Sequence, residues 1–207
     1  MRFRLAVVLA LVLGLFSTPA FAQLEYGVKA GIGFGTVSFD DEFLSEFYDG
    51  SRTGFIVGGG VNVPVNEMFF VGVELLYNQK GASGSESGIE GTAKLDYIEI
   101  PILATFPFAA GNTRPFVYGG FAPAFAVSRK EVTEIEGLGE DESNLDEEVK
   151  SFDNSLVLGG GVRFGQMAVE ARYNLGLQNI NDTESTVGDA KTRQFSILFS
   201  YFFGGNQ

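Results

Sequence analysis

Apolar and polar residues alternate with a period of two along most of this chain. In the stretch MAVEARYNLGLQ, Met167, Val169, Ala171, Tyr173, Leu175 and Leu177 fall on one face, and Ala168, Glu170, Arg172, Asn174, Gly176 and Gln178 on the other. From Gln194 to Phe203, one side carries Phe195, Ile197, Phe199, Tyr201 and Phe203, and the other Gln194, Ser196, Leu198, Ser200 and Phe202. Successive side chains of a strand point to opposite faces, so each segment predicts a strand between two different environments. The same test predicts eight strands, at 24–38, 52–63, 68–80, 94–107, 115–129, 152–164, 167–179 and 192–203. Strands of about 10 to 16 residues exceed the usual length in soluble sheets and suit tilted spans of a membrane.

The connectors alternate as well. Long polar segments follow strands one, three, five and seven: SFDDEFLSEFYDG, GASGSESGIEGT, KEVTEIEGLGEDESNLDEEVK and NDTESTVGDA. Short ones follow strands two, four and six: PVNEM, AAGNTR and Gly165-Gln166. Long loops at one end and short turns at the other predict an all-β fold, an eight-stranded antiparallel up-and-down transmembrane β-barrel.

Two glycine triplets, Gly58–Gly60 and Gly159–Gly161, resemble phosphate-cradling loops. Such loops need a strand-to-helix turn, and no helical pattern follows either triplet, so a nucleotide site is set aside. Gly165-Gln166 suits a type II′ hairpin, which predicts that Phe164 pairs with Met167. That register sets Val162 opposite Val169, Leu158 opposite Tyr173 and Leu156 opposite Leu175. It also sets Gly161 opposite Glu170 and Gly159 opposite Arg172, with Arg163 diagonal to Glu170. The glycines then leave room for large charged side chains. The longer turn at PVNEM suggests Gly58 opposite Glu74 and Gly60 opposite Gly72.

Alternation alone does not separate a membrane barrel from a secreted, lipocalin-like binder with its apolar face inward. Volume separates them, because about eight strands enclose an interior too narrow for Phe, Leu, Tyr and Ile from every strand. The Gly, Ala, Ser and Asn face is therefore expected inside. Aromatic residues at the strand ends, Tyr26, Phe69, Phe106, Phe164 and Phe203 at the short-turn end and Tyr77 and Phe195 toward the other, suggest two girdles. With this face inward, Lys29, Glu74, Glu99, Arg163, Glu170 and Arg172 form a structural charge network in the lumen, three positive against three negative. Replacing Arg163 with Ala is then expected to weaken folding by unpairing Glu170.

The N-terminus reads as a secretory signal peptide over residues 1–22: basic Met1-Arg2-Phe3-Arg4, an apolar run from Leu5 to Phe16, and cleavage after Ala20-Phe21-Ala22. The barrel domain would occupy 23–207. Losing Arg2 and Arg4 takes the net charge from −12 to −14, which argues against a nucleic-acid partner. The chain has no cysteine, so no disulfide framework, and no histidine, the commonest metal ligand and general base. No nucleophile with a credible base, no cofactor site and no metal site stands out, and the chain reads as not an enzyme. Residues 131–150 carry nine carboxylates, read as a solvated acidic loop. The alternative, oxygen ligation of calcium or of the cations that bridge lipopolysaccharide, lacks EF-hand spacing.

YGVKAGIGFG near the expected mature start, LDYIEIPILATF at 95–106, RPFVYGGFAPAF at 114–125 and the closing FSILFSYFF together resemble the outer membrane protein beta-barrel domain family, often labelled porin family. The resemblance implies a small Gram-negative outer-membrane barrel inserted by the barrel assembly machinery. Phe199, Tyr201 and Phe203 would form the C-terminal assembly signal, although Gly204 to Gln207 follow where the family pattern often stops. It also implies location in the cell outer membrane, contact with membrane lipid and lipopolysaccharide, and a monomer. The leading expectation is a barrel serving envelope structure or surface interaction through its long loops; the alternative is a small porin-like channel for ions or small solutes.

Overall fold

The computed structural model describes residues 24–39, 50–66, 68–86, 89–108, 111–135, 139–145, 149–181 and 189–204. The expected signal peptide, the cleavage point and parts of the long connectors, including Asp146 to Glu148, lie outside the described residues. Within them all regular structure is strand: β1 Glu25–Phe39, β2 Gly50–Asn66, β3 Phe69–Glu86, β4 Ile89–Glu99, β5 Ile102–Pro107, β6 Thr113–Ile135, β7 Gly139–Asn144, β8 Phe152–Phe164, β9 Met167–Gly176 and β10 Ala190–Gly204.

Every pairing is antiparallel, and the sheet closes on itself. β1 pairs with β2 and β10, β2 with β3, β6 with β8, β8 with β9, and β9 with β10. β4 and β5 lie end to end between β3 and β6. They are one stave broken at Ile100-Pro101, where proline has no N–H to give the ladder. Hydrogen bonds from Glu74 N to Pro101 O (2.9 Å) and from Ile100 N to Pro123 O (2.9 Å) carry the sheet across the gap. Eight staves thus make the ring, and closure leaves them without a free edge. β7 lies off the ring, against β6.

The tight turn delivers its register. Phe164 partners Met167, and the pairs Val162–Val169, Leu158–Tyr173, Leu156–Leu175, Gly161–Glu170 and Gly159–Arg172 follow. Gly165 takes φ 59°, which the first position of a primed hairpin turn requires. At the longer turn the expected register is wrong by two residues. Gly58 faces Leu76, Gly60 faces Glu74 and Asn62 faces Gly72, because β2 goes on pairing into the turn as far as Asn66–Phe69, past an irregularity between Pro64 and Asn66. The slip is even, so the polar faces still coincide.

The apolar face points outward. On β9, Val169 is 47% exposed and its neighbour Glu170 4%. Leu158, Phe121, Ile197 and Phe199 are exposed in the same way, and Ala122, Val157, Ser196 and Leu198 are buried inside. This sets aside the lipocalin-like arrangement, since water would face a continuous apolar belt. Aromatic contacts ring both ends of the belt: Phe69–Phe106 (5.1 Å) and Tyr201–Phe203 (4.9 Å) at the short-turn end, Phe55–Tyr77 (5.4 Å) and Phe125–Phe152 (5.3 Å) at the other.

Two expected loops prove to be largely strand. GASGSESGIEGT continues the β3–β4 hairpin out to the pair Glu86–Ile89. The acidic segment folds back on itself, with β6 running to Ile135 and β7 pairing along it from Lys130–Asn144 to Ile135–Gly139. Val132, Thr133 and Ile135 supply the β-branched residues such a ribbon favours. Lys130 Nζ donates to Glu142 Oε1 at 2.6 Å; the hydrogen bond holds the Glu142 carboxyl below its ordinary pKa and raises that of the Lys130 ammonium. Exposed pairs of this kind contribute little to stability.

Candidate functional site

The inward face gathers the charges into tiers. At the waist, Lys29 of β1, Glu74 of β3, and Glu170 and Arg172 of β9 meet across the lumen. Lys29 Nζ lies 2.7 Å from Glu74 Oε1 and also contacts Glu170 Oε1. Arg172 reaches Glu74 Oε2 at 2.8 Å and Glu170 Oε1 at 3.5 Å, and its Nε donates to the Tyr118 hydroxyl at 3.0 Å. The guanidinium also lies 5.2 Å from the centre of the Tyr118 ring. Two cations and two carboxylates from three staves, all buried or nearly so, form a neutral crossbrace. Low local polarity makes each contact stronger than in water and makes any unpaired member costly.

The glycines explain how these groups fit. A side-chain carbon at Gly161 would overlap the Val169 carbonyl and the Glu170 backbone, so glycine lets β9 close in while Glu170 extends inward. Gly159 has a different role from the expected one. Its missing side chain makes room for the Tyr118 ring, its cross-strand partner on β6, and not for Arg172. Tyr118 in turn positions Arg172.

The other two expected members lie elsewhere. Glu99 belongs to a tier nearer the long loops, where Lys80 Nζ meets its Oε1 at 2.5 Å and Asn78 donates to its Oε2 at 3.0 Å. Gln194 ties into this tier through Asn78 (2.8 Å), and Asp153 accepts from the Thr192 hydroxyl (2.7 Å) just beyond. Arg163 does not pair with Glu170. Its guanidinium contacts Glu25 at 2.6 Å, its Nε donates to the Gly165 carbonyl at 2.7 Å, and it stacks 4.5 Å from the centre of Phe202. Lys29 and Arg172 already neutralise Glu170, so Arg163→Ala would unpair Glu25, contrary to expectation.

Lys80, Glu25 and Asp153 were missed. Lys80 shares the face of Glu74 on β3 and Glu25 the face of Lys29 on β1, so strict alternation carried to the strand ends would have found both. Phe199 and Phe203 lie on the outward-facing side, with Tyr201 between them half-buried, its hydroxyl donating to Gln166 Oε1 at 2.8 Å. Among the described residues no group of three or more Asp or Glu is placed to hold a metal ion.

The family described as outer membrane protein beta-barrel domain matches residues 20–182. No curated protein matches the chain. Among solved structures it is similar to Ail, the attachment invasion locus protein of Yersinia pestis, at 16% identity over 87% of this chain and 99% of that one, TM-score 0.45. It is similar to Neisserial surface protein A at 13% identity over 86% and 97%, TM-score 0.47. It is also similar to the outer membrane enzyme PagL at 14% identity over 84% and 98%, TM-score 0.48. The last of these corrects the expectation that the chain is not an enzyme. An outer membrane enzyme is among the barrels it is similar to, so the barrel architecture does not exclude catalysis.

Proposed function

The chain belongs to the outer membrane protein beta-barrel domain family, and from that premise we propose that this outer-membrane barrel is closed to solute flow at its waist and serves the envelope through the ribbons it holds outside the membrane, as a structural element or a surface for interaction. One observation carries the reading: the Lys29–Glu74–Arg172–Glu170 crossbrace joins opposite walls of the lumen with buried side chains that neutralise one another. Moving any one of them aside for a passing solute would expose a buried charge. The ribbons support the second half. β6 and β7 run past the aromatic girdle, and Asp141 to Asn144 are exposed.

Orientation tests it. The chain has no cysteine, so a single introduced thiol is the sole target for a maleimide. Ser143→Cys on β7 reacts with a membrane-impermeant maleimide on intact cells, and Asn112→Cys at a short turn reacts only after the outer membrane is permeabilised. The opposite pattern would place the ribbons on the inner side and defeat the surface role.

A further inference from the structure

Between the waist and the short-turn end the lumen widens into a cavity of about 90 Å³. A water needs about 10–15 Å³ by this measure, so several fit. Arg114 of β6 and Arg163 of β8 line this cavity as direct cross-strand partners. Like charges set opposite each other destabilise a sheet unless something neutralises them. Glu25 neutralises Arg163. Arg114 makes no ion pair among the described residues, and its Nε is buried without a hydrogen-bond partner. Ser200 lines the same cavity, 1% exposed, and its hydroxyl is unpartnered too.

The carboxylates in the wall do not serve Arg114. Glu25 is engaged by Arg163, and Glu74 and Glu170 by Lys29 and Arg172. Four cations, Lys29, Arg114, Arg163 and Arg172, thus stand against three carboxylates, and the surplus charge sits on Arg114. We infer that this vestibule binds one small, singly charged oxyanion, a carboxylate or monobasic phosphate, held by the Arg114 guanidinium and the Ser200 hydroxyl. A guanidinium presents its N–H groups as a planar fork that matches two oxygens of one anion, which favours an oxyanion over a halide. A surplus of a single charge, with three carboxylates near by, disfavours a dianion. The inference is independent of the surface role proposed above.

Calorimetric titration of the detergent-refolded protein with sodium acetate, and separately with monobasic sodium phosphate, at ionic strength fixed with sodium chloride, tests it. The expected result is saturable one-to-one binding, weakened about tenfold or more by Arg114→Met and less by Ser200→Ala. Absence of saturable heat, or equal affinity in Arg114→Met, would overturn the site. A second readout needs no variant. The urea midpoint of the unaltered protein rises with acetate at fixed ionic strength, because a ligand of the folded state stabilises it; a flat midpoint counts equally against the inference.

Discussion

Replacing Arg172 with Met lowers the stability of the folded barrel by about 3–5 kcal/mol, the range for removing one partner of a buried ion pair. Arg172 is 2% exposed and serves Glu74, Glu170 and Tyr118 together. Without it, Lys29 alone faces two carboxylates whose desolvation is no longer offset. Methionine fills much of the vacated volume, so the loss reports charge more than cavity. Urea titration in detergent micelles, with folded and unfolded forms separated by heat-modified gel mobility, measures the effect. The triple variant Arg172→Met, Glu74→Gln, Glu170→Gln recovers a large part of it, because the carboxylates that needed a partner are gone. A loss below about 1 kcal/mol would mean that water already screens the waist.

Leu158→Arg costs about 2–4 kcal/mol, and Phe164→Arg about 0–1 kcal/mol. Leu158 is 55% exposed midway along β8, between the girdle at Phe164 and the one at Phe152. An arginine there must hold its charge in hydrocarbon or thin the bilayer around it, whereas at position 164 it reaches the interface directly. The gradient between the two sites is the informative quantity. A soluble protein with the same exposure would show neither cost, since arginine on a watery surface is nearly neutral. Refolding both variants into lipid vesicles and comparing urea midpoints decides it, and equal midpoints would remove the membrane assignment of this face.

Much of this architecture was legible because β-structure with two different faces writes a period of two into the residues. MAVEARYNLGLQ shows the split most clearly, and the Gly165-Gln166 turn converts it into pairings, since a two-residue turn allows one register. The pairing at PVNEM was misjudged because a longer turn admits several, and the irregularity beside Pro64 leaves no mark in the alternation. The ribbons were hidden for another reason. Strands that leave the membrane face water on both sides, so their residues lose the apolar alternation that identifies a strand. Among the charges, alternation told which side chains face inward but not their height along the lumen. Glu99 and Arg163 were therefore grouped with a crossbrace they stand above and below. Pairing partners depend on stagger between staves several positions apart, a property of closure that local patterns do not encode.

Single-channel recording in planar lipid bilayers shows whether the waist closes the lumen. The purified, refolded barrel is expected to insert without producing open-pore current steps, because the Lys29–Glu74–Arg172–Glu170 contacts bridge the lumen. Sustained large conductance steps from the unaltered protein would mean that the waist is open.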